Sequence, residues 1–172
     1  MGLEEHKRDA PAKLAFAVIT ISDTRIGAAD TGGALLVESI TRAGHSVATR
    51  ATVLDERVAI TTAVRRAAAD ASVDIVLTTG GTGIAPRDVT FDTLSELFDS
   101  EIPGFGELFR MLSFREIGSA ALLSRAIGGL VNRKVVLALP GSTKALALAM
   151  DEIVLKEAGH LVSQARGPSN TR

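Results

Sequence analysis

Cysteine, tryptophan and tyrosine are all absent from this 172-residue chain, and six phenylalanines are its only aromatic side chains. Without cysteine there is no disulfide framework, no thiolate metal site and no thiol nucleophile. With so few rings the core must be aliphatic, which the 46% hydrophobic share permits. Charge of one sign is not in excess either: 19 basic residues face 20 acidic ones. No bulk field therefore draws the chain to nucleic acid or to a membrane surface. Long apolar runs are also missing. Leu14–Ile21 is typical of those present, and a bilayer span needs about 20 residues. The opening MGLEEHKRDAPAK carries charge where a signal peptide carries an apolar core. Glu5 and His6 fail to complete a myristoylation pattern after Met1-Gly2. A soluble, cytoplasmic protein is expected.

Catalytic signatures are scarce too. GxxxxGK[ST], GxGxxG and GxSxG do not occur, and His6, His45 and His160 lack metal-ligand spacing. The histidines read as structural or solvent-exposed.

What the sequence does contain is alternation. Near-continuous apolar runs at LAFAVITI (14–21), DIVLTT (74–79) and KVVLALP (134–140) read as strands covered on both faces, and SVATRATVL (46–54) alternates like a half-exposed strand. Helical spacing or helix signals mark 30–44, 59–70, 91–98, 103–114 and 121–127, then 142–158 with helical residues to about 165. One domain is expected over residues 13–165, with flexible tails at 1–12 and 166–172. The fold class is α/β: a three-layer α/β/α sandwich around a mainly parallel sheet.

In such a sheet the loops after the strands' carboxyl ends gather on one edge, and ligands bind there. Those loops are SDTRIGAADTGG (22–33), DER (55–57), GGTGIAPRD (80–88) and GSTK (141–144). Gly80, Gly81 and Gly83, after Thr79 and around Thr82, let the backbone reach positive φ and approach a ligand closely. Successive amides there form an anion cradle, although such a turn also serves as a plain strand–helix link. Asp88 suits an N-cap for the helix opening near Val89, as does Thr90. With Asp55 it equally suits Mg²⁺, which is held by one or two carboxylates plus substrate phosphates. Pro140 and Gly141 end the last strand, and Ser142 or Thr143 opens a helix whose amides favour anions. Lys144 adds charge for a phosphate, or is a solvated lysine. Ser22, Asp23, Thr24 and Asp30 lie on a polar loop, Asp23 and Asp30 as ligand contacts or helix caps.

The motifs ISDTR (21–25) with Asp30-Thr31-Gly32, TTGGTGIAPRDVT (78–90), PGFGELFRMLSF (103–114), LLSRAIGG (122–129) and LPGSTKA (139–145) together resemble the molybdopterin-binding proteins of molybdenum-cofactor biosynthesis. The resemblance covers Ala15 to about Val162 and lies nearest the bacterial B-type and its relative, molybdopterin adenylyltransferase. It implies a homotrimer or a hexamer of two trimers, with molybdopterin and ATP as substrates and Mg²⁺ as the metal. Adenylate would pass from Mg²⁺-ATP to the terminal phosphate of molybdopterin, releasing pyrophosphate, and the product would go on to a molybdenum-insertion protein. Residues matching Asp55 and Asp88 are implicated in metal and chemistry, and the glycine and PGSTK loops in holding pterin and phosphates. The segment at 116–126, which opens on Glu-Ile-Gly-Ser, follows the B-type, which keeps open the alternative of a non-catalytic molybdopterin-binding or carrier protein. A different nucleotide-binding module on the same type of sheet, with a dispensable Asp pair, is the remaining reading.

Overall fold

The computed structural model describes residues 11–25 and 27–167. His6 and most of both expected tails lie outside that range. The first strand, β1 (Ala15–Ile21), is buried along almost all of its length, as its unbroken apolar run requires. Helix α1 (Thr31–Arg42) leads to β2 (Ser46–Val53), whose partly exposed alternation is that of an edge strand. Helix α2 (Arg57–Ala69) returns to β3 (Ile75–Thr79), buried throughout. Then come α3 (Thr90–Leu97), the short β4 (Ser100–Glu101), α4 (Pro103–Ile117), a 3₁₀ turn at Gly118–Leu123, and β5 (Ile127–Val131). The sixth strand, β6 (Lys134–Leu139), feeds α5 (Thr143–Ala149), which passes through a widened π turn at Met150–Val154 into α6 (Leu155–Arg166). The expected single helix from 142 is thus interrupted by one π turn.

The six strands lie in the order β2-β1-β3-β6-β5-β4. From β2 to β6 they run parallel; β5 is antiparallel to β6, and β4 is antiparallel to β5. Successive strand residues point to opposite faces and so feed two cores. Phe16, Val18, Leu77 and Leu137 pack against α1, α4, α5 and α6. Ala17, Ile19, Val76 and Val136 pack against α2 and α3. The result is the expected α/β/α sandwich.

The segment 121–127 corrects an expectation: it is not a helix but the end of a 3₁₀ turn leading into β5. Two glycines disguise that strand. A Cβ on Gly128 would press on Leu137 and Phe105, and one on Gly129 on the Phe98 ring, so glycine is needed where helices approach the sheet. The β5–β6 hairpin turns on Asn132 and Arg133, both at positive φ, the conformation of a two-residue primed turn.

Asp30 pins the start of α1. It caps the helix by accepting from the Gly33 amide at 2.8 Å, accepts from Thr20 Oγ1 at 2.9 Å and pairs with Arg50 on β2 at 2.7 Å. Burial pushes its carboxyl upward, but Arg50, Gly33 and Thr20 outweigh that and hold it below the usual value of 3.8. Its stabilising contribution is therefore present above the unfolded value and lost as pH falls through the folded one, in the window below about pH 4. Asp30→Ala is expected to cost about 2 kcal/mol. The cap alone is worth roughly 1 kcal/mol, and Thr20 and Arg50 lose their acceptor. The partial exposure of Arg50 keeps the figure below that of a fully buried pair. Denaturant unfolding at pH 7 and pH 3 checks this, the gap between variant and wild type narrowing at the lower pH.

Candidate functional site

All four loops after β1, β2, β3 and β6 meet on one edge of the sheet, where β1 sits between β2 and β3 and the chain crosses over in both directions. They enclose an open pocket of about 550 Å³. Its lining includes Ser22, Asp23, Thr24 and Asp30 from the first loop region, Asp55 from the second, Thr79–Gly83 and Asp88 from the third, and Pro140–Ser142 from the last. Thr143 and Lys144 do not line it. Lys144 stands on α5 above a separate shallow depression with Glu116, Asp151 and Glu152.

Hydrogen bonds lock the loops together. Asp23 accepts from the Asp55 amide at 3.0 Å and pairs with Arg87, so one carboxylate joins three loops. Ser22 Oγ accepts from the Arg25 amide at 3.0 Å, and the Arg25 guanidinium donates to the Gly141 carbonyl at 3.1 Å. Thr79 Oγ1 donates to the Pro140 carbonyl at 2.9 Å. Ser142 caps α5, accepting from the Ala145 amide.

The glycines of the third loop serve two different needs. Gly80 and Gly81 hold φ of 106° and 63°, a backbone that side chains rarely adopt. Gly83 lacks a positive φ, contrary to expectation; it is glycine because the Asp88 carboxylate occupies the place of a Cβ. In the same way the Asp55 carboxylate and the Thr90 hydroxyl crowd the Cβ position of Gly81, all within 3.0 Å. The two carboxylates therefore lie directly over the glycine backbone. Asp88 does not cap α3, and neither does Thr90, the first residue of that helix. Asp88 accepts from the Ala85 amide at 3.0 Å instead, closing the loop on itself.

Asp55 is the electrostatically unusual member. Burial pushes its carboxyl up, the charges of Asp88 and Asp23 push the same way, and the Val89 amide and Arg87 only partly oppose them. Its Oδ1 is buried without a hydrogen-bond partner, as are Oγ1 of the neighbouring Thr90 and Oγ of Ser124. A buried orphan acceptor beside a second carboxylate is the donor chemistry of a hard cation. Among the described residues no three His, Cys, Asp or Glu side chains cluster closely enough to hold a metal unaided. The pair thus fits a cation that arrives with phosphate ligands of its own.

Arg25, Arg87, Leu123 and Ser124 line the pocket but carry no role in the sequence reading. Arg25 and Arg87 stand inside the quoted motifs, SDTR and PRDVT, so the signal lay in residue type. Their pocket-facing position depends on partners 64 and more residues away. None of the six phenylalanines lines the pocket, so it offers a flat ring hydrogen bonds and aliphatic contact rather than aromatic stacking. His45 is structural: its Nδ1 accepts from the Leu14 amide at 3.3 Å, it packs on Phe16, and burial lowers its pKa. No helix of the described residues is long and apolar enough to cross a membrane.

Residues 17–160 match the family model described as "Probable molybdopterin binding domain". A Bacillus cereus protein named molybdenum cofactor biosynthesis protein B is 50% identical over 162 residues, 94% of this chain and 96% of its own. A crystal structure of a molybdenum cofactor biosynthesis protein B superposes with a TM-score of 0.88 at 49% identity, covering 91% of this chain and 98% of that one. The tungsten cofactor synthesizing protein MoaB of Pyrococcus furiosus superposes at 0.83 with 35% identity, over 92% and 100% of the two chains. The matched range 17–160 contains all four loops of the pocket edge, and so the chain belongs to the molybdopterin-binding domain family of molybdenum cofactor biosynthesis.

Proposed function

We propose that this protein binds molybdopterin and Mg²⁺-ATP together in the 550 Å³ pocket and transfers adenylate to the pterin's terminal phosphate. The observation that carries the reading is the orphan Oδ1 of Asp55, held with Asp88 over the glycine loop. A terminal phosphate oxygen attacks the α-phosphorus of ATP, the bond from that phosphorus to the bridging oxygen breaks, and pyrophosphate leaves with the electron pair. The nucleophile is already an anion, so no side-chain nucleophile or general base is required. The chain's contribution is alignment and charge compensation, the usual basis of phosphoryl-group catalysis. Arg25 and Arg87 supply the positive charge at the rim, in place of Lys144. Asp55 and Asp88 would hold the cation that accompanies ATP, which supplies charge neutralisation at the phosphates. Release of pyrophosphate from Mg²⁺-ATP only in the presence of molybdopterin tests the proposal, and its absence with wild-type protein refutes it.

The rival is a carrier that binds pterin without turnover. It draws on the B-type segment at 116–126 and on Lys144 standing at a different depression. A carrier has no use for the Asp pair, so micromolar, Mg²⁺-dependent ATP binding by calorimetry separates the two.

Self-association belongs to the same proposal. Leu108, Met111, Phe114 and Ile117 make an exposed apolar stripe at helical spacing along α4, with Leu122 and Leu123 just beyond it. Such a stripe on one small domain marks an interface, here to further copies in a trimer or hexamer. Light scattering is expected to give three or six times the 17.9 kDa chain mass; a monomer mass removes the idea.

A further inference from the structure

Arg125 lies outside the pocket lining yet holds the pocket's most crowded loop from behind. Its amide donates to the Thr82 carbonyl at 3.1 Å. Its Nε donates to the Gly83 carbonyl at 2.8 Å and its Nη2 to the Asp88 carbonyl at 2.7 Å. Its Nη1 lies 3.2 and 3.1 Å from the two Asp92 oxygens, and the guanidinium sits 5.0 Å over the Phe91 ring. One side chain, 26% exposed, therefore ties both ends of the 83–88 loop to the first turn of α3.

We infer that Arg125 is a positioning residue that sets where the Asp88 carboxylate stands over Gly83. The backbone of residue 88 is fixed by Arg125, and its carboxylate by the Ala85 amide. Between these two anchors the carboxylate has one place to go, the space left by the missing Cβ of Gly83. A planar guanidinium serves two carbonyls, a carboxylate and a ring at once, through donors in fixed directions. The ammonium of lysine is a point charge and cannot replace it. The antiparallel extension of the sheet thereby gains a purpose: the segment leading into β5 (Ile127–Val131) delivers Arg125 to the back of the loop.

The kinetic part of this inference rests on the adenylyl-transfer reading; the loop-ordering part does not. The experiment compares wild type, Arg125→Ala, Arg125→Lys and Asp92→Asn, with Arg110→Ala as the control. Arg110 also donates to a backbone carbonyl, that of Ala126 next to Arg125, so it holds the same segment but makes no hydrogen bond to the 82–88 loop. Hydrogen exchange of amides 82–90 is expected to quicken at least about tenfold in Arg125→Ala, the effect of losing even one of its two charged hydrogen bonds to the loop. Exchange in β1 (Ala15–Ile21) and β3 (Ile75–Thr79) stays as it was. A displacement of Asp88 by about 1 Å costs roughly 100-fold in kcat, while KM for Mg²⁺-ATP moves little. Arg125→Lys does not restore either readout, Asp92→Asn shows the same changes at smaller size, and Arg110→Ala leaves both unchanged. Unchanged exchange at 82–90, an equal rise throughout the sheet, or full rescue by lysine overturns the inference. If wild-type protein makes no adenylylated pterin, the functional reading falls and the exchange data alone decide the role of Arg125. If Arg125→Ala does not fold, Asp92→Asn decides it in the same way.

Discussion

Asp55→Asn is expected to lower adenylyl transfer by about 10²- to 10³-fold while leaving molybdopterin bound and the chain at least as stable at neutral pH. The size is that of removing one preorganised electrostatic group from an active site. The expectation follows from two features of the same carboxylate. Its Oδ1 is buried with no partner, so the Val89 amide and Arg87 compensate its charge only in part. Its carboxyl is pushed up by burial and by Asp88 and Asp23. A carboxyl raised in the folded state favours folding when protonated, below its unfolded value near 3.8, and loses that contribution as pH rises through the folded value. At pH 7 the wild-type charge is therefore a cost that asparagine lacks. Melting temperatures should put the variant level with or above wild type at pH 7, with that advantage gone below pH 4. Asp88→Asn should lose a similar factor in rate. Its carboxylate is anchored by the Ala85 amide, so this change also loosens the loop. A variant at either position with near-wild-type turnover would mean that the carboxylates are decoration around a binding pocket.

Gly80→Ala is expected to be the most destabilising single change in the site, by about 3 kcal/mol. Two costs combine. At φ 106° an L side chain is strained, at roughly 1–3 kcal/mol. The new Cβ would also lie within 3.0 Å of the Ile21 carbonyl oxygen, a backbone atom that cannot turn aside. For a chain of this size, 1 kcal/mol corresponds to about 2–4 °C, so Tm should fall by roughly 6–12 °C. Gly83→Ala makes the informative contrast. Its backbone is unstrained, and its Cβ would meet only the Asp88 carboxylate, a side chain that can move. That variant should fold almost as well as wild type and lose turnover with Asp88. Equal loss of stability in both variants would contradict this division of labour.

Much of the sheet is legible in the sequence because buried parallel strands must be apolar on both faces. Ala15–Ile21, Ile75–Thr79 and Lys134–Leu139 obey that rule, and Ser46–Val53 alternates because it lies at the edge. β5 is hidden for the opposite reason: its glycines are set by helices packed above and below it, which no local pattern encodes. β4 has only two residues and leaves no pattern at all. In the site, Asp55, Asp88 and the glycine loop can be found by topology, since residues that follow strand ends share an edge. Lys144 misleads because a first-turn lysine points around the helix as readily as toward an anion, and here it stands beside acidic residues. Arg87 and Arg125 are invisible in spacing because their partners, Asp23, Gly83, Asp88 and Asp92, lie 33 to 64 residues away and come together only in the fold.

The most direct measurement follows the α-phosphate. Wild-type protein incubated with molybdopterin, Mg²⁺ and ATP labelled at the α-phosphate should move the label onto the pterin in proportion to the pyrophosphate released, and Asp88→Ala should bind pterin yet leave the label in ATP. Label that stays in ATP with the wild-type protein, however tightly pterin binds, would contradict catalysis at this rim and leave a binding protein in its place.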